Sequence, residues 1–241
     1  MFRNPVWARL EVAAGAVFDA LGGEFRCGGQ RFHVPRDLTT RAFRGRFLAG
    51  LYELPERRLL ARHLPAEATV LELGGCLGVV SCLANARLRD RTRHLVVEAN
   101  PALIPWLHRN RDRNGAGFAI EHAVVARGAP ERPFWPGGNI VAGSATRQRG
   151  QPLLVPARSV EALEQAHDLR FDTLLMDIEG GELEVLQDNP ALLSRARLVL
   201  LEFHPMFIGE AACEAGRAAL RAAGLVLAGR FALAEAWVRA T

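Results

Sequence analysis

From Thr69 onward the chain alternates short apolar runs, glycine turns and helical stretches, and few folds are compatible with that rhythm. Thr69-Val-Leu-Glu-Leu73 reads as a strand, Gly74 to Gly78 as a turn, Val79 to Arg87 as a helix and His94-Leu-Val-Val-Glu98 as the next strand. A helix over Pro101 to Arg113 follows, its proline in the tolerated first turn, and then a third strand over Phe118 to Ala126. After an irregular segment come a helix entered at Ser159, a good capping residue, a strand over 171 to 177, a helix from Glu182 to Gln187 and a strand over Leu198 to His204. Gly216 to Ala223 reads as a helix ending at Gly224, and Leu225 to Ala228 with Ala236 to Arg239 as a closing antiparallel pair. Strands alternating with helices predict a mostly parallel sheet with helices on both faces.

Two stretches break the rhythm. Residues 1 to 65 carry a short helix near Ala8 to Leu21, glycine-rich turns around a strand at Arg31 to Val34, and helical spacing from Leu48 to His63 that Pro55 must start or interrupt. We read them as an N-terminal cap or lead-in, followed by one domain over 66 to 241. Residues 128 to 156 are rich in proline and glycine and contain Phe134, Trp135, Asn139 and Ser144. A loop of that length is functional or disordered, so it is expected to form a lid or a small hairpin over the site, with Trp135 and Ser144 either touching an acceptor or filling the loop.

Composition removes several chemistries. With 49% hydrophobic residues in 241, the chain can bury a substantial core. No apolar run approaches the roughly 20 residues needed to span a bilayer, and no signal-peptide pattern is visible. The four cysteines show neither Cys-x-x-Cys nor zinc-type spacing; thiols used for packing, in a cytoplasmic protein without a membrane partner, are the expectation. All 30 basic residues are arginine. Without lysine there is no Schiff base and no P-loop amine. The arginines are dispersed among acids at a formal charge of only +4, so the segment Arg87-Leu-Arg-Asp-Arg-Thr-Arg93 reads as a solvated helix end, and no nucleic-acid partner is expected.

Val70-Leu-Glu-Leu-Gly-Gly-Cys-Leu-Gly78 follows a strand and opens a helix, a context in which glycines let a ligand approach backbone amides. A dinucleotide fingerprint would need Gly-x-Gly-x-x-Gly, whereas the glycines here are 74, 75 and 78, and Glu72 would repel a pyrophosphate. An acid there suits a cationic ligand that carries an ammonium group, and S-adenosylmethionine is one. Glu98 ends the second strand, where an acid can hydrogen-bond ribose hydroxyls. Further on, Phe171-Asp-Thr-Leu-Leu-Met-Asp177-Ile-Glu179-Gly-Gly-Glu182 carries acids to the rim where open α/β sheets keep their ligands. The alternative for Glu182 and Glu184 is a solvated helix start favoured by acids in its first turn.

Taken in order, these segments resemble the FkbM family of S-adenosylmethionine-dependent methyltransferases over about residues 45 to 225. Gly50-Leu-Tyr-Glu53 is similar to its lead-in and Val70 to Ser81 to its first motif, although Glu72 stands where aspartate is usual and Gly75-Cys76 where Ala-Asn is common. Val97-Glu98-Ala99-Asn-Pro101, Asn110, Asn114-Gly115, Ala123 to Ala126 and Val155 to Leu163 continue the series. The block Asp172 to Glu182 is the most diagnostic, with Leu175 in place of a frequent lysine, and Leu201-Glu202-Phe203-His204-Pro205 closes it.

The resemblance implies a Rossmann-like class I methyltransferase fold with a seven-stranded, mostly parallel sheet, and methyl transfer to a hydroxyl of a sugar, polyketide or related small-molecule metabolite. The donor is expected across Gly74, Gly75 and Gly78, its ribose on Glu98 beside Ala99, its methionine end near Glu72, Tyr52 and Glu53, and its adenine near His122 and Ala123. An alcohol acceptor must lose a proton, and Asp177, Glu179 and His204 are the candidate bases. A divalent cation on Asp177, Glu179, Glu202 and His204 is the chemical alternative; metal-free catalysis is preferred, because sequence does not show that four side chains converge. Rival readings are a nicotinamide-dependent oxidoreductase, a nucleic-acid-binding module, and a non-catalytic partner on this fold. Homo-oligomerisation is left open.

Overall fold

The computed structural model describes residues 5–137, 140, 143–146 and 150–240; Asn139 lies outside them. At the N-terminus, α1 (Pro5–Ala20) is followed by the hairpin β1 (Glu24–Cys27) and β2 (Gln30–His33), then by α2 (Arg41–Leu48) and α3 (Leu54–His63). Where the sequence suggests one helix from Leu48 to His63, the chain breaks between α2 and α3. Gly50 and Glu53 take positive φ there, and Pro55 sits in the first turn of α3 where its missing N–H costs nothing. Helices α1 and α2 cross closely: a Cβ on Gly15 would lie 1.8 Å from the Arg41 carbonyl, and one on Gly45 2.4 Å from that of Glu11. Buried Arg44 fastens the crossing by a bidentate pair with Asp19 at 2.7 and 2.8 Å.

The alternating part runs β3 (Val70–Leu73), α4 (Val79–Asn85), β4 (His94–Glu98), α5 (Ile104–Arg113), β5 (Ala119–His122), β6 (Val124–Val125), β7 (Glu131–Phe134), β8 (Leu153–Arg158), α6 (Val160–His167), β9 (Thr173–Met176), α7 (Glu182–Asp188), α8 (Pro190–Arg195), β10 (Leu198–Glu202), α9 (Pro205–Ile208), α10 (Glu210–Ala222), β11 (Leu225–Phe231) and β12 (Ala234–Arg239). The main sheet has seven strands in the order β11-β12-β10-β9-β3-β4-β5. Strand β12 is antiparallel to both neighbours, and the β10-β9-β3-β4-β5 run is parallel throughout. Leu73 at the end of β3 stands level with Met176 of β9 and Val97 of β4, so the turns that follow these three strands open at one rim.

Period-two alternation divides the sheet into two faces. Leu71, Leu73, Leu95, Val97, Leu174 and Met176 pack against α6, α7, α8 and α10. Val70, Val96 and Leu175 face the other way, onto α3, α4 and α5. The N-terminal segment has no core of its own, because Phe18, Phe25, Phe32 and Phe47 join one cluster with Leu77, Val96 and Leu107. Each such buried side chain is worth about 1.5–3 kcal/mol, which ties the segment from Phe18 to Tyr52 to the sheet.

The described residues of the segment over 128–156 include two strands that its composition does not suggest. The expected third strand ends at His122; Val124 and Val125 leave the main sheet and pair with β8, which also pairs with β7, giving a small sheet ordered β6-β8-β7. Pro133 and Pro156 hid these strands, since proline demotes a strand pattern by removing a ladder donor.

Candidate active site

A cleft of about 1030 Å3, the open solvent at its mouth included, lies over the ends of β3, β4 and β9 with β7 as one wall. It sits at the switch point of the sheet, where β4 follows β3 on one side and β9 joins it on the other.

Backbone builds the first half of the cleft. Gly74 takes φ +87° and passes so near β9 that a Cβ would lie 1.9 Å from the Asp177 carbonyl oxygen. Cys76 is held at φ +47°, with its N–H donating to Glu98 Oε2 at 2.8 Å. Asn100 N–H donates to Glu98 Oε1 at 2.7 Å. Burial pushes the Glu98 carboxyl up, and these amides work against that shift by favouring the charged form. Glu98, Ala99, Ala123, Glu53 and Gly74 line the cleft as expected. Glu53 is left-handed at φ +49°, burial drives its pKa well up, and its Oε2 is buried without a hydrogen-bond partner.

Other expected donor-side residues stand outside the lining. Glu72 faces away from the cleft, on the opposite pleat from Leu71 and Leu73; Ser81 Oγ donates to its Oε1 at 2.6 Å and His94 Nε2 lies 3.0 Å from its Oε2. Both oxygens are spent in the core, which corrects the assignment of Glu72 to the methionine end. Gly75 and Gly78 serve packing: Cβ atoms there would meet Val96 at 2.4 Å and Leu107 at 2.7 Å. Tyr52 is buried below the cleft, donating its hydroxyl to Cys76 Sγ at 3.2 Å. His122 pairs across the ladder with Glu98, and its Nε2 lies 3.1 Å from the Ala99 carbonyl rather than in the cleft wall.

Side chains build the second half: Asp177 and Glu179 line the cleft, and Glu202 and His204 stand behind them, outside its lining. Asp177 follows β9, Glu179 is held left-handed at φ +57°, and Glu202 and His204 end the neighbouring β10. The four converge: His204 Nε2 lies 3.6 Å from Asp177 Oδ1, 3.7 Å from Glu179 Oε2 and 3.9 Å from Glu202 Oε1. On the other ring edge, Nδ1 is 2.8 Å from Glu182 Oε1. Phe207 stacks on the imidazole with centroids 5.5 Å apart. Crowded acids shift one another. Burial, with Glu56, Glu179 and Glu182 nearby, raises Asp177 to about 7 against the opposing pull of His204. Burial and a bond shared with Glu56 raise Glu202 to about 10. For His204, burial acts downward, but Glu182, Asp177 and Glu179 outweigh it and leave its pKa raised.

The sequence offers Glu182 either as one of the rim acids or as a solvated helix start, and gives Glu56 no part. Far from starting a solvated helix, Glu182 is fully buried, and Glu56 reaches the cluster from α3. Glu184 pairs with Arg132 at the cleft wall. In the irregular segment Ser144 is fully buried, donates Oγ to the Glu179 carbonyl at 2.8 Å and forms a bridge with Trp135, so both brace the loop over the site. Among the described residues, Asp177, Glu179 and His204, and also Glu56, Asp177 and Glu202, bring possible ligand atoms within 4.8 Å of one another, a chemistry adequate for a hard divalent cation.

The family model described as methyltransferase FkbM domain matches residues 72–224. Among solved structures the chain is similar to precorrin-6y C5,15-methyltransferase from Geobacter metallireducens, at 13% identity over 87% of this chain and 94% of that one, with a TM-score of 0.50. It is also similar to a protein of the NADB-Rossmann superfamily from Streptococcus agalactiae (12% identity, 76% and 67% covered, TM-score 0.49). A third is fibrillarin from Aeropyrum pernix with natively bound S-adenosyl-L-methionine (12% identity, 73% and 68% covered, TM-score 0.46). No curated protein sequence matches. At 13% identity the first structure speaks for the fold alone.

Proposed function

Because the chain belongs to the FkbM family of methyltransferases and has a Rossmann-like fold, we propose that it O-methylates a hydroxylated small molecule, a sugar, polyketide or related metabolite, with S-adenosylmethionine as donor. The observation that carries this reading is the convergence of Asp177, Glu179, Glu202 and His204 beside the glycine turn at one rim of the sheet.

The residues present fit such a donor. Glu53, Glu98, Asp177 and Glu179 line the cleft, while its arginine, Arg132, is paired with Glu184. Asp177 Oδ1 and Glu53 Oε2 are buried carboxylate oxygens without hydrogen-bond partners, an expensive state that a cationic ligand relieves. Bound there, S-adenosylmethionine supplies a sulfonium-borne methyl group that the acceptor oxygen takes while the S–CH3 electron pair stays on sulfur. Glu98, preorganised by two amides, accepts from the ribose hydroxyls, and Ala99 and Ala123 leave room for a flat base. Glu53 and Asp177 offer their unpartnered oxygens to the ammonium group. His204 Nε2 takes the acceptor proton, a task worth roughly 10²–10⁴-fold in rate. Arg132 and Phe134 of β7 wall one side of the cleft.

The convergence of the four side chains removes the ground on which the sequence favours metal-free catalysis; His204 is kept here as the base, and a divalent cation on Asp177, Glu179 and His204 is the alternative that EDTA separates. Burial, with Glu56 beside it, raises the Glu202 carboxyl to about 10. The four cysteines are free thiols, which supports a reducing, cytoplasmic setting, and among the described residues no helix is long and apolar enough to cross a membrane.

The test is calorimetric titration with S-adenosylmethionine and S-adenosylhomocysteine, followed by transfer assays on hydroxylated acceptors with and without EDTA. Donor binding and EDTA-insensitive transfer to oxygen are expected. Absence of donor affinity overturns the proposal, and activity lost to EDTA and restored by magnesium replaces the metal-free base with a cation.

A further inference from the structure

We propose that Glu182 is the positioning residue for the base, fixing the His204 ring so that Nδ1 carries the proton and Nε2 presents its lone pair toward Asp177 and Glu179, which line the cleft. The inference rests on the reading of His204 as the proton acceptor. An acid opening a helix is ordinarily solvated, but Glu182 is 0% exposed. Burying a carboxylate costs several kcal/mol unless it is well bonded. Its Oε1 accepts from Gly180 N–H at 2.9 Å and lies 2.8 Å from His204 Nδ1. The first bond depends on the turn before α7: Gly180 holds φ +122°, which strains any residue with a side chain, and a Cβ there would lie 2.7 Å from Thr146 Oγ1. The carboxylate thus comes to the ring already oriented by backbone.

The opposite ring edge is free to work. Nε2 stands 3.6 to 3.9 Å from the oxygens of Asp177, Glu179 and Glu202, beyond hydrogen-bond reach. With Phe207 stacked on its face, the ring has little freedom to turn. In the transfer step the acceptor O–H bond breaks, its electron pair stays on oxygen and the proton bonds to Nε2. The resulting imidazolium keeps Nδ1–H on the Glu182 carboxylate, which stabilises the positive charge. Among the described residues, the charged groups facing the ring are acids: Asp177 and Glu179 after β9, Glu182 on α7 and Glu202 on β10, with Glu56 of α3 behind them.

Two measurements test this. In the neutral ring, imidazole 15N shifts of His204 are expected to report Nδ1–H with an unprotonated Nε2, and Glu182→Gln to weaken that preference. Glu182→Gln can still accept both bonds but lacks the charge; it should keep donor affinity, lose about 10- to 100-fold in kcat, less than the ~10²–10⁴-fold worth of a whole base, and move the acid limb of the kcat profile to lower pH. Glu182→Ala should fall further than Glu182→Gln. A wild-type ring protonated on Nε2, or Glu182→Gln with unchanged kcat and an unmoved acid limb, overturns the proposal. If His204→Ala keeps full turnover while the 15N shifts show Glu182 holding Nδ1, the base assignment fails and the positioning contact stands.

Discussion

The two halves of the cleft are both acidic, yet they hold their acids in opposite ways. On the donor side Glu98 is surrounded by backbone N–H groups, which cannot titrate and do not repel a carboxylate. On the acceptor side Asp177, Glu179, Glu182 and Glu202 surround His204 and each other, so that Asp177 rises to about 7 and Glu202 to about 10. A carboxylate framed by amides makes a constant binding surface. Carboxylates framed by carboxylates and an imidazole make a surface whose protons move near neutral pH, as acid–base chemistry requires. In the proposed reading, the first half holds the donor and the second moves the proton.

The sharpest way to break the contrast is to damage the point where both halves meet. Gly74→Ala puts a Cβ 1.9 Å from the Asp177 carbonyl oxygen at a φ of +87°. It should cost about 3 kcal/mol or more in urea unfolding and impair donor binding and turnover together. His204→Ala should separate the halves: kcat falls about 10²–10⁴-fold, while donor affinity, measured calorimetrically, stays within about twofold. Glu98→Gln should do the reverse, turning an amide group toward a backbone N–H. Losing charge-assisted bonds of about 1.5–3 kcal/mol weakens donor binding roughly 10- to 100-fold, with kcat at saturating donor little changed.

A smaller effect should appear in the pH dependence of stability. The folded pKa of Asp177 is raised from 3.8 to about 7, so its contribution is fully present below 3.8 and lost as pH rises toward and through 7. Asp177 keeps 34% of its side chain exposed, so solvent screening limits the gain from Asp177→Asn at pH 8 to the order of 1 kcal/mol. That corresponds to a few degrees in thermal midpoint, with no gain at pH 3. The smallest effect belongs to Tyr52→Phe, which removes one bond to a thiol beneath the cleft. Donor affinity should stay within about twofold and stability within about 1 kcal/mol; a large loss of affinity would return Tyr52 to the donor site.

What was legible in the sequence follows the same division. Strands β3, β4, β9 and β10 are buried on both faces and show as unbroken apolar runs, and the turn after β3 announces itself by its glycines. Glu72 was misjudged although the means to place it were at hand: period two sets it opposite Leu71 and Leu73, and His94 and Ser81 supply its partners. Strands β7 and β8 were hidden by Pro133 and Pro156. The convergence of Asp177 and Glu179 with Glu202 and His204 depends on β9 and β10 being neighbours, which pattern alone does not reveal. Glu182 and Glu56 were further out of reach, because an acid near a helix start reads the same whether it faces solvent or a histidine.

The contact between Gly74 and the Asp177 carbonyl has a consequence for redesign. Donor turn and acceptor rim meet main chain to main chain, in a register set by the ladder between Leu73 and Met176. In the proposed reading, the span from methyl source to proton acceptor is thus tied to the pitch of the sheet. Attempts to redirect the enzyme to other acceptors have their freedom in the wall that carries Arg132, Phe134 and Thr146, where the molecule can change what it admits without changing the ruler.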